Sequence, residues 1–479
     1  MTADQETEPS DGFGACRKGK MDLARQGNLR GGDRLGNRLS HSKDGPSTVS
    51  KDSESRLWNP KENSTRVVEK EIGMQLAKAE TVEKQQQRAA EWNPSKRWNP
   101  FNSYKLLAHV ETWKHIKRSK LIPAPILITV DPTNFCNLDC VWCNAQFVRK
   151  ERRSSLSREA LFKIADFLPR WGQGNPHGYA GVQAICVAGG GEPLLNPATG
   201  DFIDRVVANG VEVGVVTNGT LIDKYTDSLS QATWVGVSVD AATRNTFEKL
   251  KRPLIANTFE RIIENIAILA DYAKSHNTKL GLPHPAYGVS YKYLLYKDNI
   301  GEIYEAAKLA KEIGCKNIHF RPAGTTWDKI GTEEEIIFTR EEVVLFTEQI
   351  AKALELDDEN FGVYGVTHKF NSQFERANYF IKCHAIFMTA VIGPPVGKDA
   401  PRDSFVVGLC CDRRGDTKLE LAQNITDVAE IRKLWGGHRH WKIHDRIRAD
   451  VECPRCTYQP HNEIYEQVIL NDSMTHKFI

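Results

Sequence analysis

Three cysteines fall within eight residues in CNLDCVWC: Cys136, Cys140 and Cys143. Structural zinc is normally held by four ligands arranged as two separated pairs, and no fourth ligand stands close by, since the nearest upstream histidine, His115, lies across a predicted strand. Thiolates also hold iron-sulfur clusters, and a cubane gripped by three of them keeps one iron open to an outside ligand. If the segment were helical, the i, i+4, i+7 spacing would turn all three thiols to one side. Downstream, AGGGEPLLNP (188–197) places Gly190 and Gly191, which admit close approach to the backbone, beside Glu192 and Pro193; the carboxylate can pair with an ammonium group. Near the C-terminus Cys383, the adjacent Cys410 and Cys411, and the pair Cys453 and Cys456 supply thiols for a zinc site or a second cluster, and spacing alone leaves both open.

The elements that must position these residues are legible as short apolar runs alternating with helical stripes. ILITV (126–130), AICVAG (184–189), VEVGVVT (211–217), WVGVSVD (234–240), YGVSYKYLL (287–295) and NIHFRP (317–322) predict six strands. Leu161, Ile164, Ala165 and Leu168 make one helical stripe between strands; Ile303, Ala306, Ala307, Ala310 and Ile313 make another that stops at Gly314. Thr339 with Glu342 three residues on predicts a capped helix start. Strands each followed by a helix predict right-handed parallel βαβ units with reactive loops at the C-terminal strand ends. The cysteine triplet follows the first such strand. Thr217 and Asn218 end the third, Arg252 follows the fourth and Arg321 ends the sixth, where an arginine could clamp a carboxylate in bidentate fashion.

The chain has 479 residues, 40% of them hydrophobic, enough for two or three domains. Its formal charge of +3 argues for neither nucleic acid nor a membrane surface as the main partner. No apolar run reaches membrane-spanning length and the N-terminus is acidic and polar, which predicts an unexported, cytoplasmic protein. Eleven cysteines are too sparse for a disulfide scaffold. Residues 1–100 read as a largely disordered extension, with Cys16 in its tail, a helix at 64–91 and Trp-Asn-Pro repeats at Trp58, Trp92 and Trp98 that predict apolar anchors on an extended arm. Cys186 and Cys315 read as small buried hydrophobes.

Together the motifs resemble those of the radical S-adenosylmethionine (SAM) superfamily across roughly residues 122–330. In that family C-x3-C-x-aromatic-C, here with Trp142 as the aromatic, ligates a [4Fe-4S] cluster whose open iron chelates SAM. The resemblance implies that Gly190, Gly191, Glu192 and Pro193 hold the SAM amino group and that Ser238 and Asp240, a Ser-x-Asp ending the fourth strand, contact SAM and its ribose; strand alternation would place these two on one face. It implies an α/β fold, a partial (β/α)6 TIM-type barrel over residues 101–360. LCCDRRGD through ECPRCTYQPHNEIYE resembles the SPASM extension in its shortened twitch form, a small auxiliary iron-sulfur domain placed at 375–479. Carried over, its ligands become Cys383, Cys410 or Cys411, Cys453 and Cys456, with GPPVGKDAPRDS as an insertion between the first two positions.

The implied reaction is reductive cleavage of SAM to methionine and a 5′-deoxyadenosyl radical that abstracts hydrogen from a substrate, with a flavodoxin or ferredoxin as electron donor. No acid–base constellation names the catalytic residues of the substrate step. The polar N-terminal segment is unlike a folded leader-binding domain, which favours a small molecule such as an amino sugar or alcohol. The alternatives are a maturase of ribosomal peptides and, from a different class, a non-catalytic iron-sulfur or zinc scaffold, against which the intact GGEP motif speaks.

Overall fold

Alternation in the strands sorts side chains into two environments. In β1 (Leu127–Val130) and β2 (Ala184–Val187), Ile128, Val130, Ile185 and Val187 are fully buried against helices, while Cys186 faces the opposite side. The same holds in β3 (Glu212–Thr217), β4 (Trp234–Ser238), β5 (Gly288–Leu295) and β6 (Asn317–Pro322), where Val213, Val215, Val235, Val237, Tyr291, Tyr293, Ile318 and Phe320 pack outward into one core. In this computed structural model the described residues are 103–119, 121–279, 288–366, 370, 380–453 and 456–470, all within one compact unit. The N-terminal extension, with its expected helix, Cys16 and three Trp-Asn-Pro repeats, lies outside them.

Strands β1 to β6 pair in sequence order and all in parallel, as the alternating pattern predicts and as the partial barrel implied by the resemblance requires. Both helical stripes are on the core side: Leu161, Ile164 and Ala165 of helix Arg158–Phe167, and Ile303, Ala306, Ala307 and Ala310 of helix Ile303–Glu312, are fully buried. Helix Arg340–Ala353 opens on the expected capping box, Thr339 Oγ1 accepting from Glu342 N at 3.2 Å and Glu342 Oε2 from Thr339 N at 2.9 Å.

The sheet is wider than the sequence suggests. β7 (Gly362–Gly365) adds a seventh parallel strand on β6, and β8 (Thr389–Gly393) pairs in parallel with β1. β9 (Phe405–Gly408) and β10 (Glu420–Ile425) continue antiparallel from β8, so one ten-stranded sheet runs β10-β9-β8-β1-β2-β3-β4-β5-β6-β7. The insertion GPPVGKDAPRDS is the connection between β8 and β9, pinned where Asn424 bonds both Val396 N (2.8 Å) and Val396 O (2.7 Å). Cys383 precedes this hairpin, and Cys410 and Cys411 follow it.

Candidate active site

The triplet occupies the connection that leaves β1, and two neighbouring connections clamp it. Gly191 N donates to Thr133 O (3.0 Å) and Glu192 N to Phe135 O (2.7 Å). A Cβ on Gly190 would stand 2.1 Å from Asn134 Oδ1, and one on Gly191 1.9 Å from Phe135 O. Gly190 therefore admits the Asn134 side chain and Gly191 the backbone at Phe135, where the sequence suggested ligand approach. On the other side, the end of helix Arg244–Lys251 holds the segment: Asp139 N donates to Lys251 O (3.1 Å) and Val141 N to Leu250 O (3.0 Å).

Cys136, Cys140 and Cys143 are half-buried, free, and close enough to influence one another's ionisation. Burial pushes Cys140 up to about 11, with Lys251 opposing and Cys143, Asp240 and Cys136 reinforcing the shift. Burial also raises Cys136. Arg149 lies against the Cys143 thiol and donates to Leu138 O at 2.7 Å. Thus two cations, Lys251 and Arg149, flank the triplet, and the motifs in the sequence named neither; the only signal was that Lys251 immediately precedes Arg252.

Glu192 is 2% exposed, and its carboxylate accepts from Leu194 N (3.1 Å), Thr217 Oγ1 (2.6 Å) and Asn218 N (2.7 Å). Burial raises it to about 7, against those three donors and the Lys251 charge. A carboxylate has about four lone-pair directions, so capacity remains for one ammonium or amine donor. Pro193 starts the short turn whose amide Glu192 caps. Thr217 and Asn218, the candidates that end the third strand, both hold Glu192, and Asn218 Nδ2 also donates to Asn137 Oδ1 (2.8 Å) within the cysteine segment.

Three further candidates lie around the clamp and the cavity beside it. β4 ends at Ser238, and Asp240 has φ +61°, so strand alternation stops short of it. Its buried carboxylate is taken by Lys251 Nζ and Leu294 N (2.6 Å), which makes it a support for the clamp. Arg252 caps its helix in the left-handed region, over half exposed, with its guanidinium 4.0 Å from Asp139. Arg321 faces a cavity of about 1090 Å³, counted out to its mouth. Cys186, expected in the core, faces the barrel interior among Arg414, Cys411, Asp131 and Lys292.

That cavity carries the geometry furthest. Trp142 and Asn144 of the cysteine segment line it, and so do Cys383, Cys410, Cys453 and Cys456. Burial raises all four thiols; Cys453 raises Cys383 further, Cys383 and Cys456 raise Cys410, and Cys383 and Cys453 raise Cys456. Cys411 is absent from the lining; its thiol turns to Tyr458 Oη at 3.8 Å. Among the described residues no three His, Cys, Asp or Glu converge as a single metal ion requires, whereas a cubane spreads its thiolates more widely. The all-thiol donor sets and the buried Glu192 fit a cluster and a SAM amine.

A model described as the radical SAM superfamily matches residues 130–285, from the end of β1 into the segment before β5. That segment belongs to the radical SAM superfamily. The cofactors of this enzyme family are a [4Fe-4S] cluster and SAM. The chain is 27% identical over 201 residues to the AdoMet-dependent heme synthase of Methanosarcina barkeri, covering 41% of this chain and 50% of that protein. It is 24% identical over 202 residues to the antilisterial bacteriocin subtilosin biosynthesis protein AlbA of Bacillus subtilis, covering 41% and 39%. The chain thus spans half or less of these relatives' length. Streptococcus suis SuiB, solved bound to S-adenosylmethionine, shares the fold at TM-score 0.51 and 12% identity, over 72% of this chain and 73% of that one. Among the described residues no helix is long and apolar enough to cross a membrane.

Proposed function

We propose that this chain is a radical SAM maturase acting on a ribosomally made peptide. The observation that carries the reading is the single cavity lined both by the first cysteine segment, through Trp142 and Asn144, and by Cys383, Cys410, Cys453 and Cys456. A substrate there lies within reach of both thiol sets. The biosynthetic role of the subtilosin relative supports a peptide over the small molecule that the polar N-terminus favoured.

When bound, a reduced [4Fe-4S] cluster supplies the electron that cleaves SAM to methionine and a 5′-deoxyadenosyl radical. In this reading Cys136, Cys140 and Cys143 hold that cluster, and Glu192 accepts from the SAM amino group. Thr217 and Asn218 fix the carboxylate, while Asp240 neutralises Lys251 and so steadies the Cys140 side. Residues 101–360 form the SAM-cleaving core. Residues 375–479 carry an auxiliary [4Fe-4S] cluster on Cys383, Cys410, Cys453 and Cys456, with Cys410 preferred to Cys411 because its thiol lines the cavity. A flavodoxin or ferredoxin supplies electrons in a cytoplasmic setting.

The test is co-production with candidate short ribosomal peptides, taken from any short reading frame near the gene, followed by mass spectrometry. A peptide mass change that disappears in Cys140→Ala is expected. Unchanged peptides, alongside deuterium transfer into 5′-deoxyadenosine from a labelled small metabolite, would restore the small-molecule reading.

A further inference from the structure

Interiors of parallel barrels are ordinarily filled by bulky branched side chains. This one differs on its β4–β6 wall. Because Tyr291, Tyr293, Ile318 and Phe320 face the outer core, alternation turns Lys292, His319 and Arg321 inward. Gly236 opens the space for this: a Cβ there would stand 2.4 Å from Lys292 Cε. Lys292 and His319 are register partners, with Nζ 2.6 Å from Nδ1. The ammonium lies 5.2 Å from the Trp234 ring centroid, and Arg321 follows His319 by one pleat on the same face.

The three basic groups feel one another. Burial, then Arg321, lowers Lys292 to about 7; burial, then Lys292 and Arg321, takes His319 well below its ordinary value. The carboxylates nearest this interior are committed elsewhere: Asp131 to Arg414 (2.6 Å), Asp240 to Lys251, Glu192 to Thr217 and Asn218, and Asp412 to Thr457 N (2.8 Å). Among the described residues neither Lys292 nor Arg321 forms an ion pair with a carboxylate. Opposite them stands Cys186, which burial keeps a neutral thiol. Lys292 and Arg321 held together in this interior without a carboxylate partner are costly, and a ligand's anion removes that cost.

We propose that Lys292, His319 and Arg321 form a carboxylate-binding subsite that seats an acidic group of the substrate inside the barrel. The proposal rests on the peptide reading, under which the carboxylate belongs to an Asp or Glu side chain or to the peptide's C-terminus. Arg321 lines the cavity shared by Trp142 and the four C-terminal cysteines, so the seated residue sits between the two thiol sets. Arg321 then clamps a carboxylate of the substrate, the role for a strand-end arginine that the sequence left open as to ligand.

The test is calorimetric titration of full-length, cluster-reconstituted protein, first with SAM itself and then, without and with saturating SAM, with two acids, N-acetylglutamate α-amide and N-acetylglycine, and with N-acetylglutamine amide as the neutral partner. At least one acid is expected to bind about tenfold more tightly than the neutral compound, and Lys292→Met or Arg321→Gln to remove that advantage. Preference for the first acid assigns the site to a side chain, and for the second to a C-terminus. Equal binding of acids and neutral compound, or variants that keep the preference, overturns the subsite. Acid binding that is lost as SAM is added also overturns it, by showing that these cations hold SAM itself. Arg321→Gln, at a half-exposed position, carries the test if Lys292→Met fails to keep its clusters. SAM binding in the same titrations reports separately on the radical SAM reading, and the peptide mass assay on the peptide reading.

Discussion

Glu192 must stay ready to accept from an amine while buried among apolar neighbours. Its folded value near 7 lies above the ordinary carboxylate value of about 4.3. A raised carboxylate favours folding below its unfolded value and loses that contribution as pH rises through its folded value. Cluster-free protein should therefore lose stability between about pH 4.3 and pH 7, by up to roughly 3 kcal/mol, and Glu192→Gln should flatten that slope in urea melts across pH. With clusters loaded, Glu192→Gln should weaken SAM binding about tenfold or more at unchanged iron content. Equal SAM affinity would remove Glu192 from the SAM site. The cysteine triplet and GGEP were legible because their types and spacing are specific. Thr217, Asn218 and Asp240 were legible as strand-end polar residues but not in role, because which carboxylate a hydroxyl serves depends on how neighbouring loops meet.

The element that matters most is the clamp on the cysteine segment. Leu250 and Lys251 hold it through their carbonyls, and Asp240 compensates Lys251. Asp240→Ala leaves a buried lysine unpaired, so a loss of about 3–5 kcal/mol is expected, read as a lower thermal midpoint together with weaker retention of the first cluster's iron. Retained iron at an unchanged midpoint would show that the pair does not brace the loop. By contrast, Thr339→Ala, far along the chain at a helix start, should cost about 1 kcal/mol and leave SAM cleavage intact. The helical stripes and the six alternating strands were legible because burial on one side imposes a period. β7, GVYG with two glycines, and β8, which returns beside β1 from a distant part of the chain, were not, since strand pairing of that kind is a property of tertiary contact.

At the scale of the whole molecule, one sheet joins the barrel to the C-terminal hairpin, and Arg414 ties the two by its bond to Asp131 beyond β1. Two thiol sets then face one cavity. Reconstituted protein should carry about eight irons per chain, falling to about four when Cys453 and Cys456 are both replaced by alanine; an unchanged count would refute the auxiliary cluster. Cys411→Ala should leave the count intact, because Cys411 is not part of the cavity lining and its thiol is engaged with Tyr458 Oη. The sequence left Cys410 and Cys411 undecided, since adjacent residues differ only in the direction their side chains take. The central claim, that Cys136, Cys140, Cys143 and Glu192 together support SAM cleavage, is tested most directly by reducing reconstituted protein anaerobically with dithionite in the presence of SAM and measuring 5′-deoxyadenosine. Formation that is abolished by Cys140→Ala is the predicted result; a loaded cluster that neither binds SAM nor yields 5′-deoxyadenosine would contradict it.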